Sequence, residues 1–534
     1  MSVRVQTALY DAMECSLLQV ECSYTRGFVG IQLIGHASEV CKNGLERALT
    51  ALDGIGLNLP QKRVVVSLSP ADSRKDGNHF DLPFAVALAI LIKGETPCVD
   101  LGNWLLAAEL SLDGRLQPVK GVISFAITAA GQNLEGVIIG SENLKEAEAF
   151  TRLHSSSGKL KWIAFDNLQG VLRWIFTGEI ESGRRLTNDE TCSTAERTLD
   201  QGEPHFDDMV LDEPLKKVAM VVATGLHSLL LYGTPGTGKS MFSSRVTSII
   251  PSMEKKHHLE ALKIHSCFLQ SIPRGLLAGR PPFRAPHHQA SAAAILGLPD
   301  NPGELALAHG GVLFLDEFPE FRRDVVEGLR EPLETGRVRV SRAKKKVIWD
   351  SEITLIAACN ACPCGWLGSR RRSCVCPSSK ILAYRRKVSG PILDRIDVHV
   401  TFKENVSSHS SLFFELNKKR QGPSQTLEMG LKVLRARGFG LERNSRIGVR
   451  YNRDIPAEQM IHISGLEADA FQNLMEESLP QNLGKRGLVR SLRLARSLAD
   501  LEERPCINKV DLTQALAWLP ESCAKERGDS AYGL

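Results

Sequence analysis

The chain has little of what membrane-spanning and secreted proteins require. Across its 534 residues no stretch approaches the roughly 20 uncharged apolar residues that cross a bilayer. Residues 1–10 lack the basic-then-apolar order of a secretory signal. Thirteen cysteines are present, but most stand singly in apolar surroundings, as buried thiols do in a reducing compartment. These absences predict a cytoplasmic localisation and no membrane partner.

The net charge is also small. At +5 it does not indicate a partner, but the positive charge is unevenly distributed. Residues 337–346 contain no acid and include the basic residues Arg337, Arg339, Arg342, Lys344, Lys345 and Lys346. On a strand, Arg337 and Arg339 would lie on one side and the intervening valines on the other. Such a basic edge is typical of a polyanion site, although a hairpin that merely lies in solvent has the same pattern.

The segment after the apolar run Leu229–Tyr232 has the composition of a phosphate-binding loop. It reads Gly233, Thr234, Pro235, Gly236, Thr237, Gly238, Lys239 and Ser240. Glycines allow successive backbone N–H groups to converge on phosphates, Lys239 can reach the β- and γ-phosphates, and the Ser240 hydroxyl is suited to hold Mg²⁺. The segment therefore predicts a site for ATP and Mg²⁺.

A second nucleotide motif lies downstream. The apolar run Val312–Leu315 ends in two carboxylates, Asp316 and Glu317. In such a pair the aspartate helps to hold Mg²⁺, and the next carboxylate polarises the attacking water. An ordinary solvated strand end is the alternative, but a phosphate loop upstream in the same chain favours ATP hydrolysis.

Hydrophobic patterning divides the chain into four parts. Residues 1–177 predict a compact α/β domain with a buried helix at Leu82–Ile92. Residues 178–206 are polar and predict a linker. Residues 207–403 alternate strands and helices, which predicts a parallel sheet flanked by helices, and residues 404–534 predict a small helical domain.

A row of arginines lies in the helical part of the chain. Arg486, Arg490 and Arg493 are spaced i, i+4, i+7, which places them on one face of a helix. Such a row is often only a solvated face. Beside the two nucleotide motifs, it favours a sensor of the γ-phosphate.

Four cysteines form two close pairs. Cys362 and Cys364 are separated from Cys374 and Cys376 by a segment that contains Arg370–Arg372. Four sulfurs suit tetrahedral Zn²⁺, although the C-x-C spacing is tighter than is usual for zinc ligands. Two interpretations stay open: a small zinc loop with a basic tip, and a set of reduced thiols.

Longer motifs join these features into a family pattern, and they are Arg280–His288, Asn301–His309, Leu329–Gly336 and Ser389–Asp397. With them, nearly the whole chain resembles the AAA+ ATPases, and specifically the ComM/YifB family of the magnesium-chelatase-like branch. The resemblance implies an α/β fold with an AAA+ P-loop core, a parallel sheet and a C-terminal helical lid. It also implies an N-terminal Lon-protease-like α/β domain.

The resemblance further implies roles for individual residues. Asn360, at the end of the run Ile353–Cys359, is similar to the polar sensor that orients the attacking water. Arg395 is similar to an arginine finger, which acts on the neighbouring subunit and stabilises charge on the transferred phosphoryl group. Arg493 is our choice for the lid sensor, with Arg490 second. A finger that acts in trans requires ATP at a subunit junction, and the family expectation is a homo-hexameric ring.

A function follows from the same resemblance. Members of this family resemble helicases that drive branch migration of recombination intermediates during natural transformation, so the expected partner is single-stranded or branched DNA. A magnesium-chelatase-type motor subunit and an ATP-dependent protein remodeller stay open as alternatives.

The long separation of Lys239 from Asp316 leaves room for an insertion around Leu276–Gly297, and that from Asp316 to Asn360 leaves room for a basic hairpin.

The Lon-like domain also raises a protease as a rival. A serine–lysine protease needs a serine nucleophile beside a lysine base. Where proteolytic relatives carry a serine just before their helix, this chain reads Phe80-Asp81-Leu82-Pro83. The domain is therefore expected to be non-proteolytic.

Overall fold

The chain forms two compact units in the computed structural model. The residues that the structure describes are 2–11, 13–70, 75–154, 160–180, 183–186, 204–268, 272–342, 345–402, 424–480 and 483–520. The first unit comprises Met1–Thr198 and Lys255–Gly279, and the second comprises Leu199–Glu254 and Arg280–Leu534.

The first unit is built on a mixed sheet. The strands of this unit are β1 (Ser2–Asp11), β2 (Glu14–Thr25), β3 (Gly30–Ile34), β4 (Arg63–Ser69), β5 (Trp104–Leu106), β6 (Glu109–Leu110), β7 (Leu116–Gln117), β8 (Gly136–Gly140), β9 (Lys161–Phe165) and β10 (Gly183–Leu186). Strands β6 and β7 pair with each other, outside the mixed sheet. The first five helices of this unit are α1 (Glu39–Gly54), α2 (Asp81–Lys93), α3 (Val122–Gly131), α4 (Leu144–Leu153) and α5 (Leu168–Thr177). Eight strands pair in the order β10-β9-β8-β5-β1-β2-β4-β3.

Helix α2 explains how this unit is packed. It is apolar around nearly its whole circumference because it lies between α1 and the sheet strands β1 and β2. This confirms the helix predicted at Leu82–Ile92. Asp81 at its start is fully buried and accepts hydrogen bonds from Arg47 Nε at 2.7 Å and from the Leu110 N–H at 3.0 Å. The stretch Phe80–Pro83 therefore contains a buried carboxylate that is engaged in an ion pair with Arg47.

Residues 204–402 belong to the second unit, except for Lys255–Gly279. That segment belongs to the first unit and is called the excursion below. The elements of residues 204–402, with the excursion as α8 and α9, are α6 (Glu213–Gly225), β11 (Leu229–Gly233), α7 (Lys239–Ile249), α8 (Lys255–Phe268), α9 (Arg274–Leu277), β12 (Phe283–Arg284), α10 (Ala292–Leu296), β13 (Gly297–Leu298), β14 (Asn301–Pro302), α11 (Glu304–Leu307), β15 (Val312–Leu315), α12 (Arg323–Gly328), α13 (Arg330–Thr335), β16 (Arg337–Arg342), β17 (Lys345–Asp350), β18 (Thr354–Cys359), α14 (Ser378–Arg385), α15 (Gly390–Leu393) and β19 (Val398–Phe402).

A parallel sheet organises this unit. Its strand order is β12-β15-β18-β11-β19, and every neighbouring pair is parallel. Strands β15 and β18 are buried along their whole length, as in sheets covered by helices on both faces. Because parallel strands end at the same edge, the segments that follow β11, β12, β15 and β18 converge there.

The lid is helical, as predicted, and consists of α16 (Gln425–Ser445), α17 (Met460–Ser464), α18 (Ala468–Ser478), α19 (Lys485–Leu501) and α20 (Lys509–Ala517). A buried charge network joins its helices. Asp500 accepts hydrogen bonds from Arg496 Nε at 3.0 Å, from Arg443 Nη1 at 2.7 Å and from Asn452 Nδ2 at 2.8 Å. Arg496 is therefore a structural residue.

The excursion Lys255–Gly279 differs from the expected domain 207–403, because it belongs to the first unit. Helix α8 packs against α3, and the Gly121 N–H donates to the carbonyl of Ser266 at 2.8 Å. The Ser266 hydroxyl donates to Glu146 at 2.6 Å. This excursion fills part of the long separation between Lys239 and Asp316, for which the sequence predicted an insertion around Leu276–Gly297.

The predicted linker also differs in part. Of residues 178–206, the structure describes 178–180, 183–186 and 204–206, and Gly183–Leu186 is β10, which pairs antiparallel with β9. Its exposed Arg184 and Arg185 are suited to an edge strand, which explains why the segment looked like a linker.

The predicted α/β fold class is confirmed by the parallel sheet and the helical C-terminal region, while the Lon-like character of the first unit stays a prediction. Among the described residues, no helix combines the length and the apolar character that crossing a membrane requires.

Candidate active site

The loop between β11 and α7 has the backbone of a phosphate cradle. Strand β11 ends at Gly233 and α7 begins at Lys239, so residues 233–238 connect the sheet to a helix N-terminus. Gly236 and Gly238 have φ angles of 76° and 90°, which favour glycine. The first N–H groups of a helix have no intrahelical partner and bind anions readily. The loop can therefore accommodate a chain of phosphates.

Lys239 is held inside this loop. It is 8% exposed, and its Nζ donates to the carbonyls of Gly233 at 2.8 Å and Thr234 at 2.9 Å. It also donates to Asn360 Oδ1 at 3.2 Å. Burial lowers the pKa of Lys239, and the negative charge of Asp316 opposes this shift. A cation is thus positioned at the phosphate cradle, in contact with the predicted sensor Asn360.

Ser240 and Asp316 lie side by side. Ser240 is in the first turn of α7, and its hydroxyl donates to Asp316 Oδ2 at 2.6 Å. Asp316 directly follows β15, and its Oδ1 accepts the N–H of Glu317 at 2.9 Å. Mg²⁺ prefers hard oxygen ligands of these two kinds. This pair of residues fits a magnesium ion.

Glu317 has an unusual conformation and an unexpected partner. Its φ of 53° and ψ of 43° lie in the left-handed region. For any residue other than glycine, this conformation is unfavourable in free energy. The side chain is 51% exposed, and its Oε2 lies 3.0 Å from Nδ1 of His288. In the sequence, His288 stood out only as part of a family motif. No local spacing relates it to Glu317, so the contact could not be predicted. The two residues are instead related by sheet order, since β12 and β15 are neighbours.

The cysteine loop starts directly after Asn360 and contacts the phosphate loop. Gly365 has a φ of 82°, and a Cβ at this position would lie 2.7 Å from Cγ of Pro235. The two loops therefore pack closely enough to exclude a side chain. This contact was not predicted from the sequence.

The four predicted zinc ligands converge. The sulfurs of Cys362, Cys364, Cys374 and Cys376 all lie within 4.8 Å of one another. Cys362 Sγ is 3.3 Å from Cys364 Sγ and 3.6 Å from Cys374 Sγ. Hydrogen bonds, led by that from the backbone N–H of Trp366, lower the pKa of Cys364 to about 6, whereas the pKa of Cys374 and that of Cys376 are raised, so one thiolate is favoured within the cluster. The cluster has the donor set of a tetrahedral zinc site.

The arginines predicted as finger and sensors share one cavity in the second unit. The cavity has a volume of about 670 Å³, and its lining includes Arg395, Arg486, Arg490 and Arg493 but none of residues 233–240. Within one chain, the structure thus groups these arginines with each other rather than with the phosphate loop.

Two of these arginines differ in how they are held. Arg490 is 6% exposed and lies 3.9 Å from Asp397. Burial alone would raise the pKa of Asp397, but contact with His227 and the charges of His227 and Arg490 lower it to about 2. Arg493 donates to the carbonyl of Ile455 at 2.9 and 2.5 Å. Arg490 thus has a buried acidic partner and Arg493 a backbone carbonyl, and the choice of Arg493 as the sensor, with Arg490 second, stays a prediction.

Not all hydrogen-bond donors of the Arg395 guanidinium have a partner among the described residues. Its guanidinium donates to the carbonyl of Pro391 at 2.6 Å and pairs with Glu334. Its Nε is buried without a hydrogen-bond partner among the described residues. A buried donor of this kind is available for an acceptor that enters the cavity.

The predicted basic hairpin is present. Strands β16 and β17 pair antiparallel, with Arg337 opposite Asp350. Val338 is buried, whereas the side chains of Arg337 and Arg339 are 63% and 71% exposed. Each arginine has an acidic neighbour, at 3.3 Å for Asp350 and 3.4 Å for Glu331. The basic edge is therefore exposed but partly neutralised.

The rest of the basic run is only partly described. Lys346 is exposed on β17. Lys344 lies outside the described residues, as do the side chains of Arg342 and Lys345.

Comparison with known proteins gives a consistent result. Three family models match: magnesium chelatase, subunit ChlI, at residues 205–410; subunit ChlI of Mg-chelatase, at residues 20–143; and the magnesium chelatase subunit ChlI C-terminal model, at residues 423–518. The chain is 31% identical over 512 residues to competence protein ComM of Haemophilus influenzae, covering 95% of each. It is 32% identical over 511 residues to YifB of Salmonella typhimurium, covering 94% of each.

Proposed function

The chain belongs to the ComM/YifB family of magnesium-chelatase-like AAA+ ATPases, and from this premise we propose that it is a ring-shaped, ATP-driven DNA motor that migrates branches in recombination intermediates. Family membership implies an ATPase. The observation that carries the rest is that one unit contains both the nucleotide-site residues and an exposed basic hairpin. Because the Haemophilus influenzae relative is called a competence protein, we place this activity in natural transformation.

ATP is the substrate of the proposed site. Backbone N–H groups of residues 233–240 bind its phosphates, and Lys239 supplies a fixed positive charge among the loop carbonyls. Ser240 and Asp316 hold Mg²⁺, which neutralises charge on the phosphates when bound. These roles need no movement of the sheet, since all the residues already lie at its carboxyl edge.

Hydrolysis requires a positioned water. Glu317 is the residue that accepts its proton, because its carboxylate follows β15 directly and is half exposed. Asn360 orients the same water, because its amide is fixed beside the cradle by the hydrogen bond from Lys239. The two side chains come from strands that are neighbours in the sheet.

The arginine cavity supports a ring. It gathers Arg395 and Arg493 away from residues 233–240 of their own chain, so we assign both to the ATP of a neighbouring subunit. A head-to-tail contact of this kind closes into a ring when the rotation allows, and the proposed assembly is a homo-hexamer.

The basic hairpin is the proposed DNA contact. Arg337 and Arg339 are exposed side by side on one strand face, which suits the regular spacing of phosphates and does not read bases. Phosphate contacts release counterions, so binding should weaken steeply as salt rises. Their acidic neighbours reduce the charge in the free protein and would be displaced by DNA phosphates.

Zinc is the proposed ligand of the four cysteines. The convergence of their sulfurs supports it, and the close packing of Gly365 on Pro235 gives the metal a role in holding the phosphate loop. Purified protein should contain about one zinc per chain. Cys362→Ser should lower this content, whereas Cys98→Ser, a change at an exposed cysteine outside the cluster, should not. Wild-type protein without zinc would refute the assignment.

The proposed function is tested by ATP hydrolysis with and without a four-way DNA junction. We expect the junction to stimulate hydrolysis, the stimulation to fall with salt, and Glu317→Gln to abolish hydrolysis while ATP binding persists. If the rate of ATP hydrolysis is unchanged by DNA but increases when a porphyrin and Mg²⁺ are added, a chelatase motor is favoured. If neither DNA nor the porphyrin with Mg²⁺ changes the rate of ATP hydrolysis, a protein remodeller is favoured.

A further inference from the structure

The segment between the start of β18 and the end of α15 has a charge bias that the proposed roles of the nucleotide site and the hairpin leave unexplained. Residues 353–393 contain no aspartate or glutamate, although these acids make up 61 of the 534 residues of the chain. The same segment contains seven basic residues, all exposed, which are Arg370, Arg371, Arg372, Lys380, Arg385, Arg386 and Lys387. An exposed run of positive charge without negative charge is typical of a site for a polyanion.

Three of these arginines form the tip of the cysteine loop, residues 361–377. The convergence of the four sulfurs closes the loop on both sides of this tip. Inside it, the Ser369 hydroxyl accepts the backbone N–H groups of Arg371 at 3.0 Å and of Arg372 at 3.3 Å. The Arg372 guanidinium lies over the ring of Trp366, 5.7 Å from its centroid. The tip is therefore a folded turn whose arginine side chains are exposed.

Helix α14 continues from the same cysteine cluster. It begins two residues after Cys376, and of its eight residues, all of them described, Tyr384 alone is buried. At its end, Arg385 Nε lies 3.5 Å from the carbonyl oxygen of Ala361, where the cysteine loop starts. The loop tip and α14 are thus connected at both ends. Together with the residues that link and follow them, they form what we call the second basic surface, residues 369–387.

The polar residues of the second basic surface suit a phosphate backbone. Hydroxyl groups are interleaved with the cations, and they belong to Ser369, Ser373, Ser378 and Ser379. Arginine, lysine and serine side chains commonly donate to phosphate oxygens, and such contacts do not read the base sequence. At the far end of the surface, Lys387 pairs with Glu320 at 2.8 Å, so this one residue is partly neutralised. The surface therefore has the donors of a phosphate site and no acid in its own segment.

The second basic surface and the basic hairpin are attached to opposite ends of β18. Strand β17 of the hairpin ends at Asp350, before β18 begins at Thr354, whereas the cysteine loop follows the end of β18. A strand of six residues is about 20 Å long. Successive phosphates of one DNA strand advance by only about 3.4 Å, so the two sites are too far apart to share phosphates. A DNA molecule that reaches both must present two separate segments.

We propose that the second basic surface binds the phosphate backbone of a second DNA segment, so that each subunit holds a branched DNA at two places. The proposal rests on the proposed DNA motor and adds a contact that the hairpin cannot make. Arg371 at the loop tip and Lys380 on α14 bind separate phosphates. The cysteine cluster contributes by holding the loop tip in its turn.

The test measures binding of a labelled four-way junction to full-length variants by fluorescence anisotropy at several salt concentrations. Arg371→Ala and Lys380→Ala should each lower the slope of log affinity against log salt by about 0.7–0.9, the share of one phosphate contact. Combining Lys380→Ala with Arg339→Ala of the hairpin should give the sum of the two separate effects, because contacts this far apart act independently. Arg371→Lys keeps the charge and should keep the wild-type slope.

Lys509→Ala is the matched control, because Lys509 is a lysine at the start of α20 whose side chain is 61% exposed. Unchanged slopes for Arg371→Ala and Lys380→Ala would overturn the proposal, and so would an equal fall for Lys509→Ala. A change in the sedimentation of the assembly without a change in slope would assign the surface to a neighbouring subunit, which also overturns the proposal.

These outcomes are distinct from a failure of the proposed function. Slopes that fall as expected, without movement of the branch point, would refute the motor and keep the second basic surface. A wild-type protein that does not bind the junction would refute both. The thermal unfolding midpoint of each variant shows whether it is folded, and Lys380→Ala on α14 decides the question if the loop variant is not.

Discussion

Lys239 and Glu317 carry opposite charges at one edge of the sheet, and each is held by a different polar partner. Lys239 donates to Asn360 at 3.2 Å, whereas Glu317 lies 3.0 Å from His288. The hydrogen bonds that hold Lys239 do not involve Glu317, so a change at Glu317 leaves the cation of the phosphate loop in place. This separation explains why we expect Glu317→Gln to stop hydrolysis without preventing ATP binding.

Glu146 makes the stability of the first unit depend on pH. Burial raises its pKa from the ordinary value of 4.5 to about 7, although hydrogen bonds from Ser266 and Asn143 oppose the shift. The unfolded chain loses this proton at lower pH than the folded chain, so the free energy of unfolding falls as pH rises from about 4.5 to 7.

Glu146→Gln should remove this pH dependence. At pH 8 it should raise the free energy of unfolding by about 1–3 kcal/mol, since one pKa unit corresponds to about 1.4 kcal/mol. Urea denaturation at pH 5 and pH 8, followed by tryptophan fluorescence, measures the difference. Glu142→Gln, a change at an exposed residue of the same segment, is the control. Identical pH profiles for wild type and Glu146→Gln would contradict the prediction.

At this scale, the sequence was a good guide to residues that directly follow strands. Asp316 and Asn360 directly follow β15 and β18, and Lys239 and Ser240 begin the helix that follows the loop after β11, so the four meet at the carboxyl edge of the parallel sheet. His288 could not be paired with Glu317, because that contact depends on which strands are neighbours.

Among the elements, the cysteine loop packs directly against the phosphate loop. Gly365 and Gly368 both have a φ of 82°, but only Gly365 faces a neighbour, with Pro235 Cγ 2.7 Å from an added Cβ. Gly365→Ala should therefore displace the phosphate loop and raise KM for ATP by roughly tenfold or more. Gly368→Ala shares the unfavourable φ and has open space around it, so it is the control. Equal effects of the two changes on KM would contradict the predicted contact.

The hairpin supplies a second prediction for an element. Arg339→Ala should weaken DNA binding and reduce the slope of log affinity against log salt by about 0.7–0.9, the value of one phosphate contact. Arg446→Ala is a matched control, because Arg446 is similarly exposed, at 68%, and also pairs with a glutamate. Fluorescence anisotropy of a labelled junction at several salt concentrations measures both. An unchanged slope for Arg339→Ala would remove this residue from the interface.

The hairpin itself was predictable, because its basic and apolar residues alternate with the period of a strand. Its acidic neighbours were not. Asp350 lies beyond the basic run and Glu331 precedes it on α13, and both meet the arginines only after the hairpin closes.

At the scale of the whole molecule, the arginine cavity predicts that active sites are shared between subunits. Arg395→Ala and Glu317→Gln should each be inactive alone. When equal amounts are mixed, about one quarter of the junctions combine an intact Glu317 with an intact Arg395 from the neighbour, so about a quarter of wild-type activity should return. ATP hydrolysis after subunit exchange measures this recovery. No recovery would show that Arg395 acts within its own chain.

The division of the chain into units was the least predictable feature. Residues 255–279 have ordinary helical patterning, and only their packing against α3 assigns them to the first unit. The sequence predicted the parallel sheet and the helical lid because their periodicities are local, whereas the excursion depends on contacts between segments far apart in the chain.

Branch migration itself tests the central claim most directly. A labelled four-way junction with homologous arms is incubated with the protein and ATP, and its conversion to two duplexes is followed. The account predicts conversion by the wild-type protein and binding without conversion by Glu317→Gln. A wild-type protein that hydrolyses ATP and binds the junction, but leaves its branch point unmoved, would contradict it.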